Sequence, residues 1–180
     1  MKKISVPIST EVIIGTTPTN VTAAVALVHE ARANRHKILE GALTIENEIV
    51  QILSHYYFGK THERKATFEA LILNADFCSF SAKRALLRHV IEDLKLLDGE
   101  AKQSFEQLLH KVMSYRNAFT HGALSTDGTA VWLAYFHGSP QRKEITDEYL
   151  AKIEVTLSDA WHACSNLARA IGAVTPPAEQ

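Results

Sequence analysis

Apolar residues recur along most of the chain in steps of three and four, the spacing that places side chains on one face of an α-helix. The first such stripe begins at Val21, just after Asn20, a residue suited to cap a helix, and a second runs over residues 38–56. We expect this helix to end at Gly59. Because the pattern weakens around residues 34–36, the sequence leaves open whether the helix breaks there.

Four further stretches with the same periodicity predict one short helix and three longer ones. The short helix carries Phe68, Leu71 and Ile72 as its apolar stripe. Capping residues and helix-ending glycines set the boundaries. The predicted helices run to about Asn74, from Ser79 or Ser81 to just before Asp98, from about Glu100 to Gly122, and from Thr146 to Gly172.

The pattern changes before the last of these helices. Residues 129–137 are rich in β-branched and aromatic residues, and the preceding pair Asp127–Gly128 is typical of a hairpin turn. Residues 142–145 could add a third strand. The sequence therefore predicts a mainly α fold, a four- to five-helix up-and-down bundle with a small β-hairpin at about residues 123–145, inserted before the last helix.

A chain of 180 residues fits one domain, and no linker or repeat divides it. Residues 1–20, with β-branched residues, threonines and prolines, predict an extended N-terminal arm or short strand that could pack on a partner. Residues 21–172 form the predicted helical domain. Residues 173–180, which contain two prolines, predict a flexible tail.

Composition and charge exclude several classes of protein. Apolar residues make up 46% of the chain, charged residues 22%, and the net charge is −1, which excludes a general positive field for nucleic acid. Glu11 interrupts the only segment resembling a signal peptide, and no apolar run approaches the roughly 20 residues of a membrane helix, so we expect a cytoplasmic protein. Cys78 and Cys164 read as buried apolar residues rather than a disulfide or redox pair.

The segment from Arg116 to His121 carries the strongest chemical signal. Arg116 falls on the apolar stripe of its helix, so it must meet a carboxylate, carbonyl groups, or an opening such as a cleft or subunit interface. Asn117 and His121 are four apart and share a face. Arg116 and His121 differ in direction by roughly 140° on an ideal helix. They converge only if the last turn unwinds at Gly122, the long arginine reaches across, or a symmetric dimer brings two helix ends together.

The residues Tyr115–Gly122, at the end of a late helix, resemble the R-x4–6-H motif of the HEPN domain family in its RN-x3-H form. The helical surroundings over about residues 36–172 resemble that family too. The resemblance implies metal-independent RNA cleavage without a cofactor, often by a toxin or another defence protein. It also implies a site at a homodimer interface, an RNA substrate and an antitoxin protein as a further partner.

The implied roles fit the residue types. His121 would act as general acid or base on the ribose 2′-hydroxyl or the leaving oxygen. Arg116 would hold the phosphate as its charge grows in the transition state, and Asn117 would orient His121 or the phosphate. A structural interpretation stays open, in which Arg116 pairs with Glu46 or Glu48. The domain would then be a non-catalytic HEPN-like bundle that binds a protein or nucleotide or serves assembly.

Two other features bear on RNA. Lys83, Arg84 and Arg88 could contact an RNA backbone, although nearby acidic residues make a solvated helix face the preferred interpretation. Trp132, Tyr135 and Phe136 could stack on bases, but we expect them to pack on the bundle or in a dimer.

We expect no metal site, because the histidine–carboxylate pairs at helical spacing lack further ligands. These pairs are Glu106 with His110 and Asp159 with His162.

Overall fold

The structure is a computed structural model that describes residues 13–14 and 21–173. The predicted N-cap Asn20, the rest of the N-terminal arm and residues 174–180 of the predicted tail lie outside this range. The elements in chain order are β1 (Ile13–Ile14), α1 (Val21–Phe58), α2 (Lys65–Phe68), a π-helical turn (Glu69–Leu73), α3 (Phe80–Asp93), α4 (Gly99–His121), β2 (Ala123–Thr126), β3 (Val131–His137), β4 (Ser139–Glu144) and α5 (Asp147–Ala173).

The predicted fold class is confirmed: the protein is mainly helical, with a small antiparallel sheet of β2, β3 and β4 before the last helix. The third strand is present, and β1 adds a short parallel partner to β2 at the other edge, so the described strands run in the order β1-β2-β3-β4. The exposed edge strand β4 contains Pro140, a residue that sheets tolerate at their edges.

Helix α1 is continuous over 38 residues, which resolves the question of a break at residues 34–36. It ends where predicted, because Gly59 adopts a φ of 69° and donates its N–H to the His55 carbonyl. Two of the other predicted caps also form. Ser79 Oγ accepts from the N–H of Ala82 at the start of α3, and Thr146 Oγ1 accepts from the N–H of Tyr149 at the start of α5.

The segment after α2 departs from the predicted short helix. A π-helical turn spans Glu69–Leu73, and its wider turn changes which side chains face inward. Leu73 is fully buried, whereas Leu71 and Ile72 are exposed. The predicted stripe of Phe68, Leu71 and Ile72 is therefore wrong for its last two members, because a spacing rule based on 3.6 residues per turn fails in this turn.

Helix α1 packs against α3, α4 and α5, so it forms the centre of the bundle. None of the described helices combines the length and apolar character that crossing a membrane requires.

Besides the packing of the helices on one another, an apolar cluster joins the sheet to α1, α4 and α5. Its fully or nearly buried members are Ala31, Ile38, Ala118, Phe119, Leu124, Val131, Leu133 and Ile153.

Candidate functional site

The end of α4 is fixed firmly to the sheet. Ala118 and Phe119 are buried in the cluster beneath the sheet, so the last helical turn cannot rotate freely. Gly122 follows with a φ of −79° and a ψ of 149°, an extended conformation that leads directly into β2. The absence of a side chain is needed here for space, because a Cβ at Gly122 would collide with the carbonyl oxygen of Ala118 and lie 2.6 Å from Cδ1 of Leu133.

The last turn of α4 does not unwind. His121 belongs to the helix, and Gly122 donates its N–H to the Ala118 carbonyl at 2.8 Å, as in an α-helical turn. The expectation that unwinding at Gly122 could swing His121 towards Arg116 is therefore wrong. The helix stays regular because the docked sheet holds Gly122 in place, so the two side chains keep directions about 140° apart.

Arg116 is only partly buried. Its Nη1 donates a hydrogen bond to Oδ1 of Asn117 at 3.3 Å, and it has no ion pair with any described carboxylate. The structural alternative named Glu46 or Glu48 as its partner, but Glu46 pairs with Lys83, and Glu48 forms no ion pair with Arg116. The guanidinium is thus held beside an amide and keeps most of its donors for another group.

Asn117 and His121 are both exposed and lie one turn apart on the same side of α4. The structure therefore brings Arg116 and Asn117 into contact, and places His121 next to Asn117 on the helix surface. It does not bring Arg116 and His121 together within one chain. Three polar side chains suited to bind or cleave a phosphodiester thus share one exposed helix end, without forming a closed site.

Arg35 is the residue at this helix end that the sequence analysis missed. Its guanidinium donates to the carbonyl of Thr120 at 2.9 Å and more weakly to that of Gly122 at 3.4 Å. These contacts satisfy carbonyl groups at the end of α4, where a cation also interacts favourably with the helix dipole. The signal was present as the polar interruption at residues 34–36, which marks the point where α1 meets the end of α4.

A tyrosine cluster supports the helix end from the other side. The rings of Tyr115 and Tyr149 meet edge to face at 6.1 Å, which links α4 to α5 one residue before Arg116. Burial raises the pKa of Tyr149 to about 12, with smaller contributions from Tyr135 and Tyr115. Lys143 of β4 lies over the Tyr149 ring at 5.4 Å. This cluster, too, was not predicted, because its members come from separate elements.

The predicted basic RNA contacts on α3 are largely occupied. Lys83 is buried and forms an ion pair with Glu46 at 2.6 Å, so it is neither an RNA contact nor part of a solvated face. Arg84 donates to the Glu106 carbonyl at 3.3 Å, and burial lowers its pKa. Arg88 pairs with the Glu106 carboxylate at 2.9 Å but remains half exposed.

The three aromatic residues of β3 do not share one environment. Tyr135 faces the bundle within the tyrosine cluster, as expected for packing. Trp132 is half-buried, and Phe136 is 75% exposed, so the expectation that it packs on the bundle is wrong within one chain. The period of two along a strand sends Tyr135 inward and its neighbour Phe136 outward.

Within the described ranges, no three histidine, cysteine or carboxylate side chains lie close enough to hold a metal ion. The two cysteines are both buried and unpaired, as expected from the sequence. No protein-family model matches the chain, and no curated protein or solved structure shows significant similarity to it.

Proposed function

We propose that the chain is a metal-independent endoribonuclease of the HEPN type, with Arg116, Asn117 and His121 as its site. One observation carries the proposal: the Arg116 guanidinium contacts the Asn117 amide at the exposed end of the helix, and no described carboxylate neutralises it. Most of its N–H donors are therefore available to an anion. A phosphate of a bound RNA would supply that anion through two parallel hydrogen bonds.

The chemistry divides among the three side chains. His121 takes the proton of a ribose 2′-hydroxyl, or gives a proton to the departing 5′-oxygen, since imidazole exchanges protons near neutral pH. The 2′-oxygen forms a bond to phosphorus while the bond to the 5′-oxygen breaks. The products are a 2′,3′-cyclic phosphate and a free 5′-hydroxyl. Arg116 stabilises the charge that grows on the phosphate oxygens, and Asn117 holds the arginine or the phosphate in position.

The separation of Arg116 from His121 makes a second chain part of this proposal. A two-fold axis near the exposed end of α4 would place Arg116 of one protomer opposite the same helix end of the other. Arg35 and the tyrosine cluster keep that end rigid, which a composite site requires. The proposed biological role is that of a toxin or defence protein, with an antitoxin protein as a further partner.

The test is cleavage of single-stranded RNA in the presence of a chelator. We expect Arg116→Ala and His121→Ala each to reduce the rate by about a hundredfold or more, the usual contribution of a general acid–base group or a transition-state donor. His110→Ala, at an exposed position of the same helix, should cleave as the wild type does. Mass spectrometry should find cyclic phosphate ends. Cleavage that survives both substitutions, or that the chelator abolishes, contradicts the proposal.

One observation favours the alternative of a non-catalytic HEPN-like module that binds a protein or nucleotide. His121 makes no hydrogen bond to another described side chain, so none of the described residues orients its ring for proton transfer. Such a module would bind its ligand through Arg116 without turnover. Retained RNA or nucleotide binding by the wild type, with no cyclic phosphate product under any condition, would favour it over the enzyme.

A further inference from the structure

The outer face of the sheet carries an arrangement that neither the bundle nor the proposed catalytic residues explain. The strand register places Trp132, Ala134 and Phe136 of β3 on this face, beside Ala123 and Ser125 of β2. These side chains are exposed or half-exposed, in contrast to Val131 and Leu133, which point into the apolar cluster. The face is therefore open to a partner as far as the described residues extend.

A recess of about 270 Å³ lies on this face, close to the lower limit typical of small-ligand sites. Small side chains of Ala123, Ser125 and Ala134 line it, the Trp132 ring borders it together with Arg142 of β4, and Asp127 is the one acidic residue of its lining. The largely apolar lining suits a planar ring.

The contact between Trp132 and Arg142 adds charge to this recess. The guanidinium carbon of Arg142 lies 4.5 Å from the centre of the Trp132 ring, a cation–π geometry. No ion pair occupies Arg142 among the described residues, so its donors can reach a phosphate. An aromatic plane next to a free arginine is the combination by which proteins bind unpaired bases and the adjoining backbone.

The recess is also next to the proposed cleavage site. Ala123 lines it and lies two residues after His121, so their Cα atoms are at most about 7 Å apart. A strand bound at the recess would therefore pass the exposed end of α4. A base stacked on Trp132 would belong to a nucleotide near the scissile phosphate.

We propose that this sheet face binds single-stranded RNA, with one unpaired base stacked in the recess on the face of the Trp132 ring that Arg142 does not cover, and the adjoining phosphate on Arg142. The inference rests on the proposed function for its choice of RNA. It adds a binding site, and with it a physical reason why the RNA must be unpaired at the bound position. Duplex RNA does not fit, because its bases are stacked on one another and cannot enter the recess.

The test measures binding and not cleavage, so that it can succeed or fail independently of the catalytic proposal. The probe is a fluorescein-labelled 12-nucleotide RNA of mixed sequence, titrated with the His121→Ala protein and followed by anisotropy. Adding Trp132→Ala should weaken binding about tenfold, as expected for the loss of one stacked base. Trp132→Phe should retain most of the affinity, and Trp161→Ala, a matched tryptophan on α5, should bind as the parent does.

A second measurement leaves the Trp132 side chain in place. The chain has two tryptophans, so Trp161→Phe leaves Trp132 as the sole reporter. Single-stranded RNA should quench its fluorescence, and the same RNA annealed to its complement should not. Unchanged affinity in Trp132→Ala, absent quenching, or equal quenching by duplex overturns the proposal. If Trp132→Ala changes the oligomeric mass but not the RNA affinity, the RNA proposal is also overturned. The sheet face would then bind a second copy of the chain.

Discussion

Among the ion pairs of the described residues, Lys83 with Glu46 is the most buried, so its removal should test the packing of the bundle most severely. Their charged atoms lie 2.6 Å apart, and their side chains are only 6% and 12% exposed. The pair joins α3 to α1 at the centre of the bundle. Replacing Lys83 with methionine leaves a buried carboxylate without its partner, a change that destabilises proteins by about 3–5 kcal/mol.

The expected effect on thermal stability follows from the chain length. For proteins of about this size, each kcal/mol lowers Tm by about 2–4 °C, so Lys83→Met should lower it by about 6–20 °C. Adding Glu46→Leu removes the unpaired carboxylate and should return the free energy of unfolding to about the wild-type level or above it. Urea unfolding followed by circular dichroism measures the free energies of unfolding of both variants.

The same helix offers a matched control. Arg88 forms an ion pair with Glu106, but the two side chains are 54% and 31% exposed. Water screens such a pair, so Arg88→Ala should lower stability by less than about 1 kcal/mol. If Lys83→Met is no more destabilising than Arg88→Ala, or if Glu46→Leu fails to compensate for it, the ion pair is not buried as described and the reasoning is refuted.

Three further predictions concern the end of α4 and its supports. Arg35→Ala removes the donors to two carbonyls, so stability should fall by about 1 kcal/mol in urea unfolding, and RNA cleavage should fall with it. Gly122→Ala places a methyl group against Leu133 and should destabilise by about 1–3 kcal/mol, whereas Gly172→Ala, where a Cβ meets ordinary contacts, should not. Because its pKa is raised from 10.0 to about 12, Tyr149 contributes stability below pH 10 that is lost as the pH rises towards 12, so Tyr149→Phe should flatten this loss in alkaline unfolding curves.

Local rules predicted the helical parts of the fold well. Capping at Ser79 and Thr146, and helix termination at Gly59, depend on side chains within a few residues of the element they bound. The hairpin turn at residues 127–128 is likewise encoded locally: Asp127 Oδ1 accepts the N–H groups of two following residues, and these bonds lower its pKa.

The features that the sequence did not predict depend on contacts between distant parts of the chain. Lys83 was expected at the surface because its partner Glu46 lies 37 residues away, on another helix. The contact from Arg35 to the end of α4 spans more than eighty residues. Gly122 was identified correctly as the residue after the helix, but for the wrong reason, since the Ala118 carbonyl and β3, and not the φ angle, exclude a side chain. Spacing along one element cannot reveal what packs against it.

The same limit applies to the candidate site. The sequence placed Arg116 on the apolar stripe of its helix, and the structure finds it partly buried beside Asn117. The difficulty over His121 was also visible beforehand, because the angle between the two side chains follows from helix geometry alone. The regular last turn of α4 now removes unwinding as a solution. The two residues can then form one site only if a second chain supplies one of them, or if the long arginine side chain extends to His121.

The most direct test of the central claim mixes two inactive variants. Arg116→Ala and His121→Ala proteins are unfolded together, refolded and assayed for metal-free RNA cleavage. If the site combines Arg116 of one chain with His121 of another, half of the dimers contain one intact site. The mixture should then regain about a quarter of the wild-type activity, although each variant alone is inactive. A mixture as inactive as its components, or a single variant that cleaves like the wild type, would contradict the account.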